Sequence, residues 1–503
     1  MNDLPLTQAA GRITALLAAT ESRTLEFKRI SEKHGRMKET ICAFANSDGG
    51  WLVIGVGDAK AGAKPETRLF GIDENPEAFD DFSRQVMQDF APPLAPPQWI
   101  RVPCTLHNGQ AGHVVQLRVE KSAQVHSVKG GGTWTRMNAS NRQLSAQEIA
   151  DLAYQRGVRS AASELVHVNL SLLETPTWLT FVAARGLKTG TMIEQLQRIG
   201  LVDTTSAGEL LPTRAAVLLF AHEPGSLLAA YDSRADIRLM VYSGKTAAPG
   251  AEPNLRKSPL TIRGPLIEQI DDAVKAVLRE LEEGLTLASS GFKTRHVYPE
   301  RVVKEAIVIA VVLRDYRLIR DIFVRIFDDR IEVESPGTFP GNITAGNIAR
   351  TGSKARNPLI VQHLREFPAA PNIDAGEGVK MMFAEMAAAK LYPPRYSQNT
   401  DAAVESVMVT LLNLARPSLW DVVSDWIDRN GPIANSKLCE ISDLDTLAAS
   451  KQLRRWVEQG VLVALLAASR RHASYTKPEL LAEPGDSLSF ELDNETEKTI
   501  KLF

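Results

Sequence analysis

"AIVIAVVLRDY", residues 306–316, sets eight apolar residues directly against Arg314, Asp315 and Tyr316. Such a run could be a buried strand, part of a membrane span, or a helix of a nucleotide site. A membrane helix needs ~20 apolar residues. The longest runs here, Ala306–Leu313 and Val461–Ala468, stop well short of that, so no membrane partner is expected. At ~150 residues per domain, the 503 residues correspond to roughly three domains. A hydrophobic share of 44% and a charged share of 23% are ordinary for a folded protein. The start "MNDLPLTQAA" has no basic region typical of a secretory signal. Cys42, Cys104 and Cys439 are scattered, which points away from disulfides or a zinc site and toward a reducing cytoplasm. With a net charge of −2, any nucleic-acid binding must come from local basic patches.

Residues 21–58 read as strand, helix, turn, strand. Period two in Leu25–Lys28 puts Leu25 and Phe27 on one face, Glu26 and Lys28 on the other. Met37, Ile41 and Phe44 make one helical stripe, the run Asn46-Ser47-Asp48-Gly49-Gly50 breaks it, and Trp51–Val56 is apolar enough for a buried strand. "ESRTLEFK", "ICAFANSDGGWLVIGVGD" and "TWTRMNASNRQLSAQEI" together resemble the Schlafen/AlbA-like domain. In its endoribonuclease members three acidic residues hold a divalent metal. By resemblance they fall on Glu21, Glu26 and Asp58, where hard carboxylates suit Mg²⁺ or Mn²⁺. The residues leave a second reading open: binding without cleavage, with Glu26 paired to Lys28 or to a neighbouring strand's arginine. Lys28, Arg136 and Arg142 are this block's candidate nucleic-acid contacts. The two arginines follow the turn Gly130-Gly131-Gly132, in a position suited to phosphate.

In the middle, "ELLPTRAAVLLFAHEPGSL" and "ADIRLMVYSG" read as two buried strands. The first resembles a segment that follows the Schlafen-like domain in bacterial relatives, with Ala216 and Ala221 where glycines are usual. "GNIARTGSK", residues 346–354, fails as a phosphate loop, since its glycines are six apart and no Ser or Thr follows Lys354.

Residues 300–414 resemble a GHKL-type ATPase-like module through "KEAIVIAVVLRDY", "IFDDRIEVESPGTFPGNIT", "SKARNPLI" and "DAGEGVKMMFAEM". The resemblance makes the opening stretch a helix that should carry a glutamate base and, four residues on, a metal-binding asparagine. Glu305 fills the first position and Ile309 the second; Leu313 stands where the family has histidine, and Ser335-Pro336-Gly337 where it has Asn-Pro-Gly. Gly376 and Gly378 keep the glycines of the nucleotide-side turn. Ile309 offers no oxygen to a metal, so the site is expected to be repacked as core and ATP hydrolysis is not expected. Burying isoleucine avoids the ~1–3 kcal/mol of an unpaired buried amide. Lys354 and Arg356 face an anion in one reading; in the other, Asn357-Pro358 simply starts a turn.

From residue 416 the pattern is helix, short helix, helix, hairpin, which resembles a winged helix-turn-helix. Trp420, Val423, Trp426 and Ile427 stripe the first helix; Leu453, Trp456 and Val457 stripe the third and leave Lys451, Arg454 and Arg455 outward. Arg470 and Arg471 lie at the hairpin tip. Nucleic-acid contact and protein–protein spacing are both open to such a unit. Residues 416–477 hold nine Lys/Arg against seven Asp/Glu, whereas residues 479–503 hold two against seven.

The expected architecture is multidomain α+β: a Schlafen-like domain at 1–157, a connecting α/β region at 158–297, a degenerate GHKL-like domain at 298–415, a winged helix at 416–478 and an acidic tail at 479–503. The leading functional expectation is a cytoplasmic, DNA-binding transcriptional regulator, a homodimer or higher homo-oligomer; such modules also occur in phage-defence proteins. The alternatives are a Mg²⁺- or Mn²⁺-dependent endoribonuclease with a tRNA-type substrate, and an ATP-gated switch. The tail charge yields a first prediction. If the tail competes with nucleic acid, deleting residues 479–503 tightens duplex DNA binding in a titration at low salt. Unchanged affinity removes that role.

Overall fold

In the computed structural model the described residues are 2–3 and 13–480, except 15, 58–64, 232, 249–253, 289–290, 352–353, 372–376, 400–404, 418, 443 and 466–472. The chain is a multidomain α+β protein. Its first sheet runs, by position, Asn2–Asp3, Gln98–Thr105, Ala111–Val119, Gly50–Ile54, Leu25–Lys28. Leu25–Lys28 lies parallel to Gly50–Ile54, so the connection between them must cross over, and the helix His34–Asn46 makes that crossing. Its expected stripe of Met37, Ile41 and Phe44 is fully buried. Gly50 then passes so close to Phe44 that a Cβ would lie 2.7 Å from the ring. At the helix end the Asn46 amide donates to the carbonyls of His126 and Trp134 and accepts from the His126 N–H, which pins the following loops to the helix.

The stretch expected as the first middle strand is mostly helix. Leu210–Pro212 pairs with Val202–Thr204 as a short hairpin, and Thr213 then accepts from the Ala216 N–H to cap the helix Arg214–Phe220, every residue of which is buried. A short run apolar on every side has no period with which to tell strand from helix; the threonine cap decides it. Ile237–Val241 is a strand, as expected.

That strand pairs in parallel with Ile322–Ile326, and so joins the sheet Leu260–Ile262, Ile237–Val241, Ile322–Ile326, Arg330–Pro336, Ser406–Leu412, Arg395–Asn399. The region read as a connector therefore supplies two strands of the sheet that follows it, and one buried cluster extends from Ala162 to Leu411. The opening stretch lies in the helix Glu300–Leu313, which packs on this sheet between Leu266–Glu280 and Gly378–Ala388. Among the described residues no helix is long and apolar enough to cross a membrane.

Residues 419–476 form the helices Leu419–Asn430, Asn435–Ile441 and Thr446–Glu458 with a three-stranded antiparallel sheet, ordered Ile433–Ala434, Ser474–Thr476, Val463–Leu465. Asp445 caps the third helix by accepting from the Ala448 N–H at 2.7 Å. Tyr392 and Leu412 from the preceding region pack into this unit's own cluster, where the Trp456 indole N–H donates to the Tyr392 hydroxyl at 3.0 Å.

The first domain docks on the central one through cations that donate to backbone carbonyls. The buried Arg156 guanidinium reaches Ser47 O at 2.8 Å on one side and Gly341 O at 3.0 Å on the other. Lys121 donates to Ile343 O and Lys354 to Ala123 O. Arg317 pairs with Asp151 at 2.8 Å. Because each buried acceptor left unpaired costs ~1–3 kcal/mol, Arg156→Met is expected to lower the urea unfolding midpoint and speed proteolysis between the domains. An unchanged midpoint and digestion pattern would show that the docking does not depend on this clamp.

Candidate nucleic-acid interface

Glu26 takes the second of the two readings left open, pairing with Lys28 and with an arginine of another strand. It is 5% exposed, with Oε2 held 2.9 Å from Arg136 Nη2 and Oε1 held by Lys28 Nζ. Arg136 is itself buried: it donates to Asn141 Oδ1 and Ser22 O and lies over the Phe44 ring, 5.0 Å from its centroid. Glu21 accepts from the Phe27 N–H at 3.0 Å, so its carboxylate caps the outer edge of the strand. Asp58 lies outside the described residues.

The arrangement around Glu26 does not fit Mg²⁺ or Mn²⁺, because two cationic side chains already occupy both of its oxygens. Among the described residues no group of three or more His, Cys, Asp and Glu side chains converges on a common point. Lys28 and Arg136, expected to contact nucleic acid, instead neutralise a buried carboxylate. Arg142 is more open, but it pairs with Glu148 at 2.7 Å. The Arg142 guanidinium, with the Ser145 N–H and hydroxyl, holds the Glu148 carboxyl at about 2.

In the helix Glu300–Leu313 Ile309 is buried. With Leu313, Val333, Ser335 and Val407 it lines a void of about 10 Å³. A site for a drug-sized ligand encloses ~300–1,000 Å³. Ser335 donates to Ala310 O at 2.6 Å, so the altered turn is tied to the helix. Glu305 rests against Gly378, where a Cβ would lie 1.8 Å from Oε1, so a larger residue there would have to move the Glu305 carboxylate. Burial pushes the Glu305 carboxyl up, against the opposing pull of Lys304 and Arg301. Gly376 lies outside the described residues. The anion reading of Lys354 and Arg356 is corrected: Arg356 is buried, donating to Leu313 O, Tyr154 O and Thr338 O, and Lys354 is held by Ala123 O.

The third helix of the C-terminal unit is different. Lys451, Arg454 and Arg455 are exposed on it, while Ala449, Leu453 and Trp456 are buried on the opposite side. Among the described residues none of these three cations has a side-chain ion pair or hydrogen bond. Arg470 and Arg471 lie outside the described residues. Sequence reasoning passed over Lys33 and Arg36, which are exposed at the start of the helix His34–Asn46. The signal was available, since that first turn contains no acidic residue.

Breaking one partner of a buried pair costs ~3–5 kcal/mol. Arg136→Ala is therefore expected to destabilise the protein by about that much in urea titrations, and adding Glu26→Gln should recover part of the loss. Full additivity of the two substitutions would contradict the pairing.

Two family models match parts of this chain. Residues 21–145 match the family described as "Schlafen, AlbA_2", and residues 320–411 match "Putative ATP-dependent DNA helicase recG C-terminal". No curated protein matches the chain. Among solved structures it is similar to the DIP2311 protein from Corynebacterium diphtheriae, with a TM-score of 0.40 and 18% identity over 94% of this chain and 97% of that one. The chain thus combines a Schlafen/AlbA_2 domain with a module of the kind found at the C-terminus of RecG-type putative helicases.

Proposed function

We propose that this protein binds nucleic acid, with duplex DNA as its principal ligand, and that the C-terminal unit is the winged helix-turn-helix that grips it. One observation carries the reading: the unpartnered stripe Lys451, Arg454 and Arg455 on the outer face of Thr446–Glu458. That helix is third in its unit, the position from which such a fold enters a major groove. Elsewhere the chain buries or pairs many of its cations, as Arg136, Arg156, Arg314 and Arg356 show. Free arginines on one helix face therefore stand out as a phosphate-binding surface. The Schlafen/AlbA_2 match supports the same class of ligand. The finer role we infer is a cytoplasmic transcriptional regulator acting as a homodimer on two half-sites.

Binding rather than cleavage is the reading that the Glu26 environment supports, because a metal there would have to displace both Lys28 and Arg136. The expected result is salt-dependent duplex binding. Replacing Lys451, Arg454 and Arg455 with alanine should weaken it and lower the slope of log K against log salt by about 2–3, roughly 0.9 for each phosphate no longer neutralised. Fluorescence anisotropy between 50 and 200 mM salt, on the order of the range where such neutralisation is resolved, reads both quantities. Mn²⁺-dependent cleavage of tRNA that disappears in Glu21→Ala and Asp58→Ala would replace this reading with the nuclease one.

A further inference from the structure

Among the described residues Leu447 is the most exposed large hydrophobic, at 65%. An exposed leucine alone is unremarkable on a protein surface. Its position is what matters. It lies in the first turn of Thr446–Glu458, one turn before Lys451 and two before Arg454, on the face opposite buried Leu453 and Trp456. The outer stripe of this helix is thus apolar at its N-terminal end and cationic through its middle turns, before the exposed Glu458 at its C-terminal end.

That order matches what a helix meets on entering a major groove. Its N-terminal residues reach the base edges, while residues further along the helix approach the backbone. The rise from Leu447 to Arg454 is ~10 Å, comparable with the ~8.5 Å depth of the groove. Phosphates answer the cations. The apolar feature on the groove floor is the C5-methyl of thymine, and small or apolar side chains read it by contact.

We infer that Leu447 is a specificity-determining residue that packs against a thymine methyl, so that the recognised duplex requires thymine at one position. The inference rests on the proposed function, since it assumes that this helix enters duplex DNA. It concerns sequence preference alone: the cations set how tightly the helix holds the backbone, and Leu447 sets which base it prefers. Because its side chain is largely in water, replacing it leaves the core of the unit in place.

The test is selection from a random duplex pool with the full-length wild-type protein and with Leu447→Ala. The best wild-type duplex is then resynthesised with one thymine at a time replaced by uracil, which lacks only the methyl. Burying one methyl is worth about a fourfold change in affinity. One thymine whose replacement weakens the wild type about fourfold, with no effect on Leu447→Ala, establishes the contact. Absence of such a thymine, or an equal loss in both proteins, overturns it. The Arg454→Ala, Arg455→Ala protein separates the two levels. It should bind thymine and uracil duplexes more weakly by one common factor. If no duplex is enriched and these arginines do not affect binding, the proposed function fails and the inference fails with it.

Discussion

The carbonyls at the end of a helix have no partners within it, and the helix Glu300–Leu313 ends inside the protein. Its last turn is closed from a distant segment. Asn357 donates to Val312 O at 3.0 Å and to Arg314 O at 2.8 Å, while Arg356 donates to Leu313 O at 3.0 Å. Arg314, itself buried, gathers the carbonyls of Leu318 and Arg320, and the Tyr316 hydroxyl reaches back to Val311 O. Residues 306–316 and 356–357 are thus one unit. The helix anchors the central sheet, and Arg356 also holds Tyr154 O of the first domain.

The same device joins the modules. Arg156, Lys121 and Lys354 each donate to a carbonyl across the boundary between first and central domains. Burying a cation costs less the more of its donors are met, and a guanidinium can meet several carbonyls at once, as Arg156 does although its Nε has no partner. Using cations as internal fasteners leaves fewer for the surface. The outer stripe of Thr446–Glu458 becomes conspicuous for that reason, and an overall charge near zero would have hidden it.

Much of the layout was legible in the residues. The stripes of His34–Asn46 and Thr446–Glu458, the cap at Asp445 and the burial of Ile309 all read correctly because each is local: a period, a capping side chain, an apolar run. Arg214–Phe220 was misread because seven buried residues carry no alternation. For Lys28 and Arg136 two readings stood open, and the fold takes the one in which they pair with Glu26. A cation on a strand looks free until the carboxylate opposite it is known, and here that carboxylate, Glu26, is more than a hundred residues away from Arg136 in the chain.

The sequence alone determined the order of modules, the apolar run that buries Ile309, and the outward face bearing Lys451, Arg454 and Arg455. Those follow from spacing along one element. Tertiary structure decided which charges remain available. Burial against distant carbonyls and carboxylates consumed Arg136, Arg156 and Arg356, whereas the far side of Thr446–Glu458 met no partner among the described residues. A charge is committed by what the fold brings within ~3 Å of it, and spacing along the chain does not contain that distance.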